Sequence, residues 1–456
     1  MKIHPRTMVM CLVKGNFMNT KSLYKIDPRA EIYCNGDHNI IVNHETLMCI
    51  CITNKIVKLA NYLRINRYFS EISAAFPEDS MTDVLPILVQ HGIVMQDGVS
   101  KDLRHTRSAN VIDELKMPNI VAANITNKCN LACKYCYNAD FRNSRKRPEL
   151  DRQSWIHIFD SLLGDGVVTL DITGGEPLVR TDLYSVFSEF ADKGMNLRLV
   201  TNATLIDNDK FAEYIAHTFR NITISIDSDL PEIHDSLRGE GTHEKVVNAM
   251  NLLSKYDGNW CAQMVFNEST MERIEHTSTY VRNLGARDFK ASIEYVPKEG
   301  YSNRSILEYL ISSVSKQSTT YGKSMDTFMK AQINSIMTVD RTCPAAKGEC
   351  FIDAYGDVFP CRLMMSESMA SGNLLEQSFK DIWATGGPLN MVREIDYTKI
   401  DKCGDCGLLR FCMGGCRAIA HNLTGDLYGY IGDENCALRQ NAVMNRLFDT
   451  VLSGAN

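Results

Sequence analysis

The chain has 456 residues, 44% of them hydrophobic, and carries 49 Lys and Arg against 55 Asp and Glu for a net charge of −6. That is enough apolar material for two or three domains, and the acidic balance argues against a nucleic-acid partner, which would demand a basic excess. No run approaches the roughly eighteen apolar residues of a membrane helix, and residues 8–13 are too short for a signal peptide, so a cytoplasmic protein with no membrane partner is expected. Sixteen cysteines in that compartment do not read as disulfides; they point to metal.

Residues 1–115 read as a small separate module. Segments 7–13, 22–26, 31–34 and 39–42 are strand-like, with Asn35-Gly36-Asp37 as a hairpin turn between the last two. The pattern then turns helical: Ser80 can cap a helix carrying Val84, Leu85, Leu88 and Val89 and ended by Gly92, before a return strand at 93–95. Strands, three helices and a strand make a winged-helix-like arrangement. It lacks a clear basic recognition helix, so recognition of a peptide added at a sheet edge is preferred over DNA binding.

From Asn119 strands and helices alternate. Strands are expected at 120–125, 167–173, 197–201, 222–227, 261–266 and 289–296, separated by helices such as 155–163 and 183–190. Six such units imply an α/β fold, a parallel sheet curled into a partial (β/α)6 barrel over 119–315 with its chemistry at the carboxyl ends of the strands.

The loop after the first of these strands is Lys128 to Tyr137, KCNLACKYCY, with Cys129, Cys133 and Cys136 in C-x3-C-x2-C spacing. Three thiolates so placed can hold one face of a 4Fe-4S cubane and leave the fourth iron without a protein ligand. A zinc loop is the alternative, but zinc knuckles show C-x2-C pairs and want a fourth Cys or His nearby; Asn124, Asn127, Asn130 and Asn138 crowd the loop instead. The motif, with aromatic Tyr135 before its last cysteine, resembles that of the radical S-adenosylmethionine (SAM) enzymes. The resemblance implies that SAM chelates the open iron and is cleaved to a 5'-deoxyadenosyl radical, the cofactor supplying the hard chemistry.

Later segments fit the same resemblance. Gly174-Gly175-Glu176-Pro177 closes the second strand, where the glycines allow close backbone approach and Glu176 offers an acceptor for an ammonium group. The family's counterpart of this stretch binds the SAM amino group. Thr201 and Asn202 end the third strand where the family often has Thr-Asn-Gly, with Ala203 replacing the glycine. Ser225 and Asp227 end the fourth, Ser225 expected to face the ribose or carboxylate of SAM. Arg238 would clamp the SAM carboxylate as a fork donor, the plainer alternative being a surface pair with Asp235 or Glu240. The basic run Arg142, Arg145, Lys146 and Arg147 reads as a solvated face, with attraction of an acidic leader peptide as the alternative.

After a helical linker at 316–339 comes a second cysteine-rich region, 340–456. Its order, Cys343, Cys350, Gly356, Cys361, then Cys403, Cys406, Cys412, Cys416 and Cys436, resembles the SPASM extension of some radical SAM enzymes. Carried over, Cys343, Cys350, Cys361 and Cys416 would hold one auxiliary 4Fe-4S cluster and Cys403, Cys406, Cys412 and Cys436 the other. Eight thiolates saturate both; without Cys350 one cluster gains an open iron able to take a substrate thiolate. Gly356 and Asp357 suit a hairpin turn that carries Cys361 toward its cluster. Cys11, Cys34, Cys49, Cys51 and Cys261 read as small buried hydrophobes, with Cys261 on a barrel strand.

Taken together the chain resembles maturases of ribosomally made peptides, and its first module resembles their precursor-recognition domain. The resemblance implies a precursor-peptide partner, a flavodoxin or ferredoxin-type reductant, SAM and three 4Fe-4S clusters, and a thioether cross-link as product. Carbon-carbon or carbon-oxygen cross-linking is the alternative chemistry. A sulfatase-maturing enzyme is the nearest relative with another task, but that branch has an aspartate where this chain has Arg362. Asp357, Glu176 and Tyr137 are candidate bases that nothing in the sequence separates.

Overall fold

The computed structural model describes residues 22–35, 38–43, 48–52, 54–76, 85–86, 88–89, 93–97, 117–136, 138–139, 147–294, 343–440 and 443. The chain divides into two compact units, Met1–Val111 with Leu447–Asn456, and Ile112–Arg446.

In the first unit β1 (Leu23–Ile26), β2 (Ala30–Asn35) and β3 (His38–Asn43) stand where the sequence places strands, and Asn35 pairs with His38 across the expected hairpin. Two further strands were not foreseen. β4 (Met48–Ile52) adds to β3 in antiparallel register, and the two-residue β5 (Arg67–Tyr68) pairs with β1, whose other edge takes β6 (Val94–Gln96). β5 is too short to carry a period, and the apolar run MCICI of β4 has no alternation to mark it. Helices Asn54–Tyr62 and Phe69–Ala75 bury Leu59 and Ile72 against Tyr24, Ile26 and Val94. The strand expected at 7–13 lies outside the described residues, as does most of the helix expected after Ser80.

The second unit is built on one sheet of order β12-β11-β10-β9-β8-β7-β13-β14. β7 (Ile120–Asn124), β8 (Thr169–Thr173), β9 (Asn196–Thr201), β10 (Asn221–Ser225), β11 (Trp260–Phe266) and β12 (Phe289–Ile293) are parallel, each close to its expected place. Alternate residues such as Leu170, Ile172, Leu197 and Leu199 enter a core with Trp155, Phe159, Phe187 and Phe190 of helices Arg152–Gly164 and Tyr184–Asp192. Residues of opposite parity, Asp171, Arg198, Thr223 and Lys290, belong to the other face.

That second face is concave. Lys290 of β12 exerts a Coulombic pull on Asp171 of β8, four strands away; a flat sheet would separate them by roughly 19 Å, too far for such an effect to register. The sheet is therefore curled as expected. What the sequence does not announce is its continuation: β13 (Glu349–Ile352) pairs in parallel with β7, and β14 (Val358–Phe359) folds back antiparallel on β13. The second cysteine region thus completes the sheet of the first. The expected linker at 316–339 lies outside the described residues.

Candidate functional site

The cysteine loop leaves β7 and is fastened from three sides. Glu149 accepts from Thr126 Oγ1 and from the Asn127 backbone N–H, both at 2.7 Å. Asn127 Oδ1 accepts from Asn124 Nδ2 at 2.8 Å and Asn138 Nδ2 at 3.3 Å, and Asn130 donates to Thr204 Oγ1 at 2.8 Å. The asparagines that crowd the loop are therefore its fastenings. Their clustering outside any cap or turn role was the signal; Glu149 gave none.

The glycine turn lies directly on this loop. Gly175 N–H donates to Thr126 O at 2.6 Å and Glu176 N–H to Lys128 O at 2.9 Å. A Cβ on Gly175 would stand 2.6 Å from Asn127 O and closer still to Lys128 O, and Gly174, at φ +150, has no more room. The close approach that needs glycine here is loop on loop. Glu176 is 1% exposed, and its carboxylate accepts from Thr201 Oγ1 at 2.7 Å, Asn202 N–H at 2.7 Å and Leu178 N–H at 3.1 Å. Burial pushes its carboxyl up to about 7. The structure thus corrects the role expected of Glu176: its carboxylate braces the β8 and β9 loops together and is not held out as an ammonium acceptor. Pro177 opens the short 3-10 turn Pro177–Val179 behind it.

Asn202 reaches the cysteines, donating to Asn130 Oδ1 at 2.9 Å with its amide nitrogen 3.9 Å from Cys129 Sγ. Ala203 sits at φ +59, a left-handed conformation that glycine would adopt without strain and that costs an alanine about 1 to 2 kcal/mol.

The β10 side of the site centres on Asp227, 0% exposed. It accepts from Arg238 Nε at 2.6 Å and Nη2 at 3.0 Å, from Val265 N–H at 3.1 Å and from the hydroxyl of Tyr135. Lys134 N–H donates to Leu237 O at 3.0 Å, so helix Pro231–Arg238 holds the cysteine loop by backbone as well. The plainer alternative for Arg238, a surface pair with Asp235 or Glu240, is not what the structure shows. Arg238 is buried and paired bidentately with Asp227, while Asp235 caps the next helix by accepting from Gly241 and His243 N–H at 2.8 Å each. The Arg238 cation opposes the rise that burial imposes on the Cys133 thiol. His234 accepts from Asp227 N–H at 3.2 Å and is held neutral, its pKa depressed to about 4 by burial first and Arg238 second. Ser225 is half-buried at the end of β10, level with Gln263 of β11.

The thiols fall into sets. Cys129 and Cys136 lie within Coulombic reach of Cys133; Cys343 and Cys416 lie within reach of Cys361, and Cys416 within reach of Cys343; Cys406 and Cys436 lie within reach of both Cys403 and Cys412. Cys350 stands apart on β13, 2% exposed, with Glu349 and Arg393 as the charges that bear on it. Among the described residues no three His, Cys, Asp or Glu converge as one metal ion requires. A cubane, each of whose thiolates binds a separate iron, asks for this looser grouping of soft donors, and the three sets fit it.

The remaining candidates resolve individually. Gly356 lies at φ +86 in the turn joining β13 to β14, as expected. Asp357 is paired with Arg147 and accepts from Asn373 Nδ2 at 2.6 Å, so it is a hairpin brace, and Arg147 of the basic run is committed to it. Tyr137, Arg142, Arg145 and Lys146 lie outside the described residues. Cys261 is 2% exposed on the concave face, 3.4 Å from Thr223 Oγ1. Arg362 is exposed and lies within Coulombic reach of Asp171 and Glu349. No helix among the described residues is long and apolar enough to cross a membrane.

Comparison with known proteins agrees with this geometry. Residues 123–281 match the radical SAM superfamily and residues 343–407 an iron-sulfur cluster-binding domain, SPASM. An AdoMet-dependent heme synthase of Methanosarcina barkeri is 26% identical, covering 68% of this chain and 94% of its own. The antilisterial bacteriocin subtilosin biosynthesis protein AlbA of Bacillus subtilis is 26% identical, covering 75% and 76%. Streptococcus suis SuiB, solved bound to the precursor peptide SuiA, shares the fold with a TM-score of 0.55 at 17% identity, covering 90% of this chain and 99% of that one.

Proposed function

We propose that this chain, a radical SAM enzyme with a SPASM domain, modifies a ribosomally made precursor peptide by forming a thioether between a cysteine sulfur and a carbon of that peptide. Its cofactors are SAM, the 4Fe-4S cluster that binds it, and auxiliary iron-sulfur clusters. The observation that carries the reading is the grouping of thiols into one set on the loop after β7 and two within residues 343–436. A cluster held by the first set would have an open iron and supply the radical chemistry, and clusters held by the others would supply an acceptor for the electron lost when sulfur closes on carbon. Two of these names support a peptide as substrate, AlbA being a bacteriocin biosynthesis protein and SuiB having been solved with a precursor peptide bound, whereas the heme synthase does not speak to it.

SAM, when bound, would supply 5'-deoxyadenosyl radical chemistry for taking hydrogen from a substrate. The chain's own contribution is position. Cys129, Cys133 and Cys136 hold three corners of the cluster. The backbone of Gly174, Gly175, Glu176 and Pro177, with Thr201 and Asn202, forms the side at which the SAM amino group is received, and Ser225 and Tyr135 the side of its ribose and base. Arg238, paired with Asp227 through Nε and Nη2, would offer its remaining N–H groups to the SAM carboxylate. Cys343, Cys361 and Cys416 hold one auxiliary cluster, completed by Cys350 or by substrate sulfur. Cys403, Cys406, Cys412 and Cys436 hold the other. Residues 1–115 present the leader of the precursor, 119–315 form the barrel and 340–456 the auxiliary domain after the linker 316–339. A flavodoxin or ferredoxin-type protein delivers the electron.

The test is anaerobic incubation of reconstituted enzyme with SAM, reductant and a cysteine-containing precursor encoded nearby, followed by mass spectrometry. Production of 5'-deoxyadenosine with a peptide lighter by two hydrogens and resistant to thiol alkylation is expected. Deoxyadenosine with a lighter peptide whose thiols still alkylate assigns a carbon-carbon or carbon-oxygen link. No deoxyadenosine under any condition ends the reading.

A further inference from the structure

We propose that Arg417 is a shared counter-cation of the two auxiliary clusters, a positioning residue that raises the reduction potentials of both. The inference rests on the cluster reading above. Arg417 is 1% exposed. Its guanidinium donates through Nη1 to Leu427 O and Gly429 O, each at 3.0 Å, through Nη2 to Gly414 O and through Nε to Gly415 O at 3.4 Å. Every one of these acceptors is a neutral carbonyl, and among the described residues no carboxylate lies within ion-pair distance of the group. Hydrogen bonds satisfy its donors without neutralising its charge, and a buried uncompensated ion costs several kcal/mol.

Arg417 directly follows Cys416 of one set, and the carbonyls it binds at Gly414 and Gly415 lie on the loop that joins Cys416 to Cys412 of the other, with Cys403 also within its electrostatic reach. The local backbone is shaped for this. Met413, Gly414 and Gly415 take φ of 53, 68 and 79, turning the loop between Cys412 and Cys416 left-handed so that its carbonyls close on the guanidinium. Gly414 could not be larger, since a Cβ there would meet Ile400 and crowd Arg417 Nη2 at 3.4 Å. One cation therefore sits at the seam between the two thiol sets. A cubane with four thiolates is anionic and gains a further negative charge on reduction, so a fixed buried cation stabilises the reduced form more than the oxidised. Arg417 would make both clusters better electron acceptors and hold the two loops together through their shared charge.

The test uses full-length protein, reconstituted without air, with no SAM or peptide. Iron is quantified and the auxiliary clusters are titrated potentiometrically by electron paramagnetic resonance in wild type, Arg417→Gln and Arg417→Lys. Expected in Arg417→Gln is full iron with the auxiliary reduction equilibrium weakened at least tenfold, a midpoint about 59 mV lower for one electron, and partial recovery in Arg417→Lys. Loss of auxiliary iron in Arg417→Gln but not in Arg417→Lys also supports the inference, because lysine keeps the charge while losing the guanidinium's fork of hydrogen bonds. Unchanged midpoints in iron-loaded Arg417→Gln overturn this inference alone, as does equal iron loss in both variants. Wild-type protein without auxiliary iron overturns the cluster reading and this inference with it.

Discussion

Asp227 gathers one guanidinium, one phenol and one backbone N–H while fully buried, so removing its charge strands Arg238. Breaking a buried pair from one side costs about 3 to 5 kcal/mol, whereas losing one neutral donor to a carboxylate costs about 1.5 to 3. Asp227→Asn should therefore lower stability more than Tyr135→Phe, and denaturant melts of the two variants check the order. His234 adds a pH signature. Its folded pKa, about 4, lies below the ordinary value near 6.5, so the unfolded chain takes up a proton first as pH falls. The stability it contributes is present above pH 6.5 and is lost between 6.5 and 4, up to about 3 kcal/mol. Glu176, pushed up to about 7, gains stability as pH falls over much of the same window, so the His234 loss is read as a difference: in melts from pH 7.5 to 4.5 wild type should lose more stability than His234→Asn, whose amide oxygen can still accept from Asp227 N–H. The sequence named Asp227, Arg238 and Tyr135 as site residues but not as one another's partners. The pairs span 11 and 92 positions, whereas the alternatives weighed for Arg238 were two and three residues away, the only distances that spacing can judge.

At the scale of elements the site is a stack of loops, and its tightest joint is the glycine turn on the cysteine loop. Gly175→Ala would push a methyl into two backbone carbonyls that no rotamer change can move. The prediction is loss of the first cluster while the auxiliary clusters persist: iron should fall by about a third of the twelve or so that three cubanes hold, with SAM binding abolished by calorimetry. Retention of full iron and SAM affinity would show that the joint yields. Glu149→Gln should act more mildly at the same joint, since its amide keeps one acceptor for Thr126 or Asn127. The strands flanking these loops were legible because five- to seven-residue apolar runs with turn signals between them leave little choice. The loop-on-loop bonds were not, because Thr126–Gly175 and Lys128–Glu176 are backbone pairs that any side chains could make.

At the scale of the molecule, the auxiliary region is structurally part of the barrel. β13 adds to β7 across more than two hundred residues of chain, a pairing no local pattern encodes, which is why the sequence suggested separate domains. Phe351, Ile352, Val358 and Phe359 of the β13–β14 hairpin are each at most 1% exposed and belong to the same core as Val121 and Trp155. Burying four such side chains is worth roughly 6 to 12 kcal/mol, comparable to the whole stability of an ordinary domain. The core of the first unit shares no residue with this one. Two truncations should therefore behave oppositely. A chain of residues 112–446, keeping the hairpin and dropping the first unit, should fold, melt cooperatively by circular dichroism and bind iron in all three sets. A chain of residues 112–294, cut after β12, exposes the β7 edge and loses those four side chains, and should be insoluble or melt without cooperativity. A sharp melt in the shorter chain would mean that the six-stranded barrel stands by itself and that the hairpin is an attachment, not a wall.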